Sequence, residues 1–177
     1  MSDMPDQGEL ADAITEATRA AVTALFAEHP GTYYYLALIT TGEAHAPFLT
    51  AWSHEALAAA AESEEDREMI KWSYADSPID IYGEEHFDRV RELFDRRPQN
   101  GDDMSDDDWA AEHDLRLSAM ETALRRLDDE GLIGEGERRL GLVVNVEVMP
   151  PDPTNTERAR RLNPPAALTR WLEEVAE

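Results

Sequence analysis

Asp76 and Asp80 flank Ser77-Pro78-Ile79. Paired carboxylates at the end of a strand, where functional groups gather, have the chemistry for acid–base work. A turn explains them as well, because Asp and Ser bond their own backbone in tight corners. The densest acidic run comprises Asp102, Asp103, Asp106, Asp107, Asp108, Glu112 and Asp114. A calcium loop needs oxygens at alternating positions, Gly at the sixth and Glu at the twelfth, and no register of this run supplies them all. The run then reads either as a negative surface for a basic partner or as a solvated helix start, where acids favour the dipole. The histidines are His29, His45, His54, His86 and His113. None forms HExxH and no two stand four apart, so helical zinc spacing is absent. His113 falls on an apolar helical stripe, the place of a hydrogen-bonded boundary histidine.

Nucleophile and phosphate motifs are missing too. GxSxG does not occur, and Ser53, Ser73 and Ser77 each have a capping or turn role. The glycine stretch from Gly134 to Arg139 enters a strand rather than a helix, so it cannot cradle a phosphate. Trp72, Tyr74 and Tyr82 could line a groove, although strand periodicity favours the core for the first two. The chain has 177 residues and no Cys, which excludes a disulfide scaffold, a thiol nucleophile and thiolate metal sites. Acids outnumber bases 39 to 16, a net charge of −23. Such a field disfavours nucleic acid and anionic membranes. The charge is uneven: −20 over residues 1–115 and −3 over 116–177, which two faces of one domain would explain. Only Lys71 is a lysine; the other bases are Arg, a matter of composition rather than activity.

The elements that must position these residues follow from periodicity. Leu10, Ile14, Ala17, Ala21 and Leu25 predict a helix over 8–29, after a flexible lead at 1–7. Thr32–Thr40 and Ala46–Ala51 predict a hairpin, the first strand apolar on both faces. Ser53 caps a short Ala-rich helix. Alternation over Arg67–Tyr74 predicts a third strand. Gly83 opens a helix to about Arg97 with Phe87, Val90 and Phe94 inward and Glu85/Arg89 and Glu92/Arg96 paired outside. A long helix over 106–130, capped by Ser105, carries Trp109, His113, Leu117, Met120, Leu124 and Leu127. Leu140–Val148 alternates as a strand, Thr154 and Glu157 have capping-box spacing, and Asn163-Pro164 opens a last helix whose docking face is Leu168, Trp171 and Leu172. The order is α-β-β-α-β-α-α-β-α: one α+β domain over 1–177, with a mixed or largely antiparallel sheet of four or five strands.

Three stretches carry a family resemblance: TYYYLALIT, KWSYADSPIDIYGEEHFDRVRELF, and GLIGEGERRLGLVVNVEV with ARRLNPP beyond it. From about Leu10 to Trp171 the chain resembles the bacterial domains grouped as domain of unknown function number 4303. The resemblance implies no catalytic residues. Such families stand beside toxin and immunity genes, which implies a protein-binding role. The expectation is a cytoplasmic, non-enzymatic binding domain of immunity type. It would meet a basic protein through Asp76, Asp80, Asp102, Asp103, Asp106, Asp107 and Asp108, without cofactor, metal, nucleic acid or membrane. The alternative is a small hydrolase or metal-dependent enzyme using Asp76, Asp80 and a histidine. Oligomeric state is not fixed by sequence.

Overall fold

The structure, a computed structural model, describes residues 4–101 and 103–175. Asp6 caps α1 (Gln7–Glu28), its carboxylate accepting from Glu9 N while Glu9 reaches back to Asp6 N. Pro5 is buried and its carbonyl accepts from Arg97. The predicted stripe of α1 is buried from Leu10 to Leu25. β1 (Tyr33–Thr41) and β2 (Phe48–Ser53) form the expected antiparallel hairpin. β3 (Val143–Met149) joins β1 in parallel, giving the order β2-β1-β3. Central β1 is therefore covered on both faces, which explains its unbroken apolar run.

Leu36 and Leu38, paired with Ala51, Leu49, Val144 and Val146, pack under α1, α4 (Asp88–Asp95) and α5 (Asp106–Asp129). Tyr35, Ala37 and Ile39 face the other way, with Trp52 and Leu57. A bulge between Tyr33 and Tyr35 breaks the alternation. Tyr33 stays with the α1 core, whereas Tyr34 joins Tyr35 on the second face.

Among the described residues the mixed sheet has three strands, not four or five, because side chains and a loop close both edges. α7 (Pro153–Leu162) lies along β3. The Asn163 carboxamide accepts from Val144 N (2.9 Å) and donates to Val144 O (2.6 Å). Asn155 does the same at Val148 N (2.8 Å) and Val148 O (3.0 Å), and Arg158 Nε donates to Val146 O (2.8 Å). These groups occupy the ladder positions of a fourth strand. On the β2 side Ala51 N donates to Ile79 O (3.1 Å), Tyr82 N to Leu49 O (3.0 Å) and Ser77 Oγ to Ala51 O (2.6 Å).

The third predicted strand is absent from its place. Residues 67–74 contain the end of α3 (Glu64–Ile70) and a turn. Ser63 caps α3 and three acids fill its first turn, a start signal that outweighs accidental alternation. The rest follows α2 (His54–Ala60), capped by Ser53 as predicted, with a 3-10 turn over Glu84–Phe87 before α4, α6 (Gly136–Leu140) before β3, and α8 (Pro165–Glu174) last. The observed order departs from the predicted one from residue 64 onward. Leu140 ends a helix instead of starting a strand. Arg89 pairs with Glu92 (3.0 Å) rather than Glu85. Asp152, not Thr154, caps α7, and Pro164 holds the cap position before α8, freeing Asn163 for the β3 edge. No helix among the described residues is long and apolar enough to cross a membrane.

Candidate functional site

The acids singled out by sequence lie apart in role. Asp76 is exposed in the turn that Ser77 N closes on Tyr74 O. Asp80 is half-buried; burial raises its carboxyl above the ordinary value, opposed by the bond from Ile81 N at 2.9 Å. Ser77 between them is spent on Ala51 O and Ile79 N. Asp103, Asp106 and Asp107 are exposed; Asp108 accepts from Ser105 Oγ at the α5 start; Asp102 lies outside the described residues. Glu112, one of the same run, is instead buried between Arg97 and Arg116. Among the described residues no hydrogen bond joins a histidine to Asp76 or Asp80, and no three His, Asp or Glu residues gather as metal ligands. His113 is half-buried beside Asp114 (3.9 Å).

The concave surface is elsewhere. A cleft of about 540 Å³ lies between β1, α2, the end of α3 and α8. Its wall holds Lys71, 4% exposed, whose Nζ meets Glu174 at 2.6 Å and Glu68 at 3.4 Å. Trp72 Nε1 donates to the same Glu174 carboxylate at 2.7 Å, and Arg170 Nε at 3.0 Å. Burial alone would raise Glu174, but the bonds from Lys71, Trp72 and Arg170 hold it down to about 2. Tyr34 lies edge-on to Trp72 (5.2 Å) and against His54 (4.8 Å). Burial pushes the Tyr34 hydroxyl up, and it donates to Lys71 O at 2.5 Å. Arg67 lines this cleft with no carboxylate partner among the described residues.

A second cleft, about 390 Å³, shares Glu68, Trp72, Trp171 and Glu174 with the first. Glu147 of β3 lines it, 7% exposed. Burial raises the Glu147 carboxyl, while Asn145, Tyr35 and Arg158 pull the other way. Asn145 Nδ2 donates to it at 3.3 Å. The Tyr35 hydroxyl is close enough to feel its charge, yet Tyr35 Oη and Asn145 Oδ1 have no aligned hydrogen-bond partner.

Local structure explains this placement. The bulge in β1 turns Tyr34 toward the clefts. After α3, bonds from Tyr34 to Lys71 O and from Trp52 Nε1 to Ser73 O (2.8 Å) fix the turn that carries Lys71 and Trp72. Two prolines start α8, which brings Trp171 and Glu174 back across the chain. Trp72 and Tyr74 therefore line a groove, the less favoured sequence reading, while Tyr82 bonds Glu28 elsewhere. The sequence reading leaves out Lys71, Glu147 and Glu174 as site residues. The available signals were a solitary lysine and two polar residues on a strand covered on both faces.

No curated protein and no solved structure matches the chain. Residues 14–164 match one family model, and this span holds all three strands, both closed sheet edges and the Lys71–Trp72 turn. On that match, which covers most of its length, the chain belongs to the family described as a domain of unknown function, DUF4303.

Proposed function

We propose that the chain is a non-enzymatic protein-binding domain and that the two adjoining clefts are where its partner seats. The observation that carries this is their common wall. Trp72, Trp171, Glu68 and Glu174 line both, so a single extended ligand can straddle it. The wall is built as a fixed surface: Lys71 is neutralised by Glu174 at 2.6 Å and the Trp72 indole is bonded to the same carboxylate. Aromatic faces and fixed charges in a concave setting suit recognition. A net charge of −23 favours a basic partner, the kind an immunity-type protein would neutralise.

The test is recovery of the chain from its own host with whatever it binds, followed by hydrogen exchange on the complex. Protection over 71–74 and 165–174 supports the reading. Protection confined to 103–114, or turnover of a substrate by the purified chain, overturns it.

A further inference from the structure

The smaller cleft has an unusual lining. Four carboxylates reach it, Glu68, Glu147, Asp152 and Glu174, and among the described residues no Lys, Arg or His does. Three aromatic residues, Trp72, Tyr74 and Trp171, complete the walls. Two of the four carboxylates are spent: Glu174 on Lys71 and Arg170, and Asp152 on capping α7. Glu68 is exposed and stands 3.4 Å from Lys71. Glu147 is buried and has no cation partner among the described residues. The base nearest in effect, Arg158, gives Nε to Val146 O and Nη2 to Asn155 Oδ1 (2.5 Å). A second unmatched group points the same way. Trp171 is 2% exposed, lines the cleft, and its indole N–H has no acceptor.

A buried carboxylate among aromatic rings is complementary to a guanidinium, which stacks on rings and forks onto carboxylates. The Trp171 indole N–H, shut off from solvent in the wall of the cleft, is a donor that the chain itself leaves unused. We propose that the smaller cleft receives one arginine side chain of a protein partner, its guanidinium ending at Glu147 among the Trp72, Tyr74 and Trp171 rings. The inference rests on the binding reading above and names the anchor that the partner supplies. Glu147 faces Tyr35 from β1, Asn145 from its own strand, and Arg158 and Asp152 from the α7 side, with Glu68 and Glu174 on the cleft walls. Burial raises the Glu147 carboxyl and a guanidinium favours its charged form, so binding is coupled to pH.

The experiment uses the full chain and two probes, N-acetyl-arginine-N-methylamide and its neutral isostere made from citrulline. Binding is read from the indole N–H resonances of Trp72 and Trp171. Expected is a saturable shift with the arginine probe and at least about tenfold weaker binding of the citrulline probe. Glu147→Gln, which retains an acceptor for Asn145, should abolish that preference. On the native chain arginine affinity should fall by up to about tenfold per pH unit below the Glu147 midpoint, a readout that needs no variant to fold. Equal binding of the two probes, or pH-independent arginine binding, overturns the proposal. If a protein partner protects the clefts while the arginine probe finds nothing, the anchor is wrong and the binding reading survives. If the probe behaves as expected and no protein binds, the arginine site stands and the protein-binding reading falls.

Discussion

Glu112 accepts from Arg97 Nη2 at 2.5 Å and Nε at 2.8 Å, and from Arg116 Nε at 2.7 Å, all three side chains nearly devoid of solvent. Arg116 spends its remaining donors on Ala44 O and Pro98 O and lies over the Phe94 and Trp109 rings. Removing the carboxylate charge leaves two buried guanidiniums uncompensated. Glu112→Gln should therefore cost about 3–5 kcal/mol at neutral pH, read from urea unfolding. Burial works against the Glu112 charge, but the two arginines win and hold its carboxyl below the ordinary value. A depressed carboxylate contributes stability above its unfolded value and loses it as pH falls through the folded one. The native chain should lose this contribution in acid and the variant should not. Glu174, held down to about 2, titrates the same way between about 4.5 and about 2. It is partly in water and Lys71 keeps Glu68 nearby, so Glu174→Gln should cost less, about 1–2 kcal/mol in the same assay. None of this was legible at residue level. Glu112 sits in a run of exposed acids, and only the fold distinguishes it from Asp108 or Asp114.

At the scale of elements, α7 is a helix doing a strand's work. Asn155 and Asn163 each satisfy both the N–H and the C=O of a β3 residue, two turns apart along the helix. Each substitution by Ala strands two buried backbone groups, so Asn155→Ala and Asn163→Ala should each cost about 2–4 kcal/mol. The two lie at opposite ends of α7, so their urea-unfolding effects should add closely in the double variant. The double variant also bares an edge strand, and light scattering should show association that rises with concentration. The hairpin and the helices other than α3 and α6 were legible because their signals are local: the α1 stripe, the Ser53 and Ser105 caps, the apolar run of β1. The strand count was not, because the β3 edge is closed by Asn155 and Asn163 meeting Val148 and Val144 across a chain reversal, and the β2 edge by the loop through Ser77, Ile79 and Tyr82. The misread segment over 67–74 failed for a different reason. α3 buries no residue at all, and the apolar Ile70, Trp72 and Tyr74 pack from its last turn and the loop beyond, so their alternation reflects no strand.

At the scale of the molecule, charge and cleft obey different rules. The segment of residues 1–115, net −20, is not packed apart from the nearly balanced remainder, because the two interleave. β3 enters the sheet beside β1, Arg126 meets Asp12 at 2.6 Å, Arg19 meets Glu130 at 2.7 Å, and Glu174 closes on Lys71. The clefts likewise draw on Tyr34, Lys71 and Trp72 from one segment and Glu147, Trp171 and Glu174 from the other, which is why no local spacing announced them. What the interleaving cannot cancel is the excess of acids at the surface, among them Glu64, Glu65, Asp106 and Asp107. Their repulsion is felt most at low ionic strength and fades once the screening length drops to about 10 Å, near 0.1 M salt. The buried pairs at Glu112 are screened far less. The melting temperature should therefore rise as sodium chloride increases from low millimolar to about 0.1 M, then level off. If the proposed basic partner seats in the clefts, the same screening should slow its association while leaving its dissociation nearly unchanged, since steering acts on encounter and close contacts act on residence. Thermal melts across a salt series check the first effect, and stopped-flow association at the same salts checks the second. A stability that falls with added salt would mean that exposed ion pairs, rather than like-charge repulsion, dominate the surface.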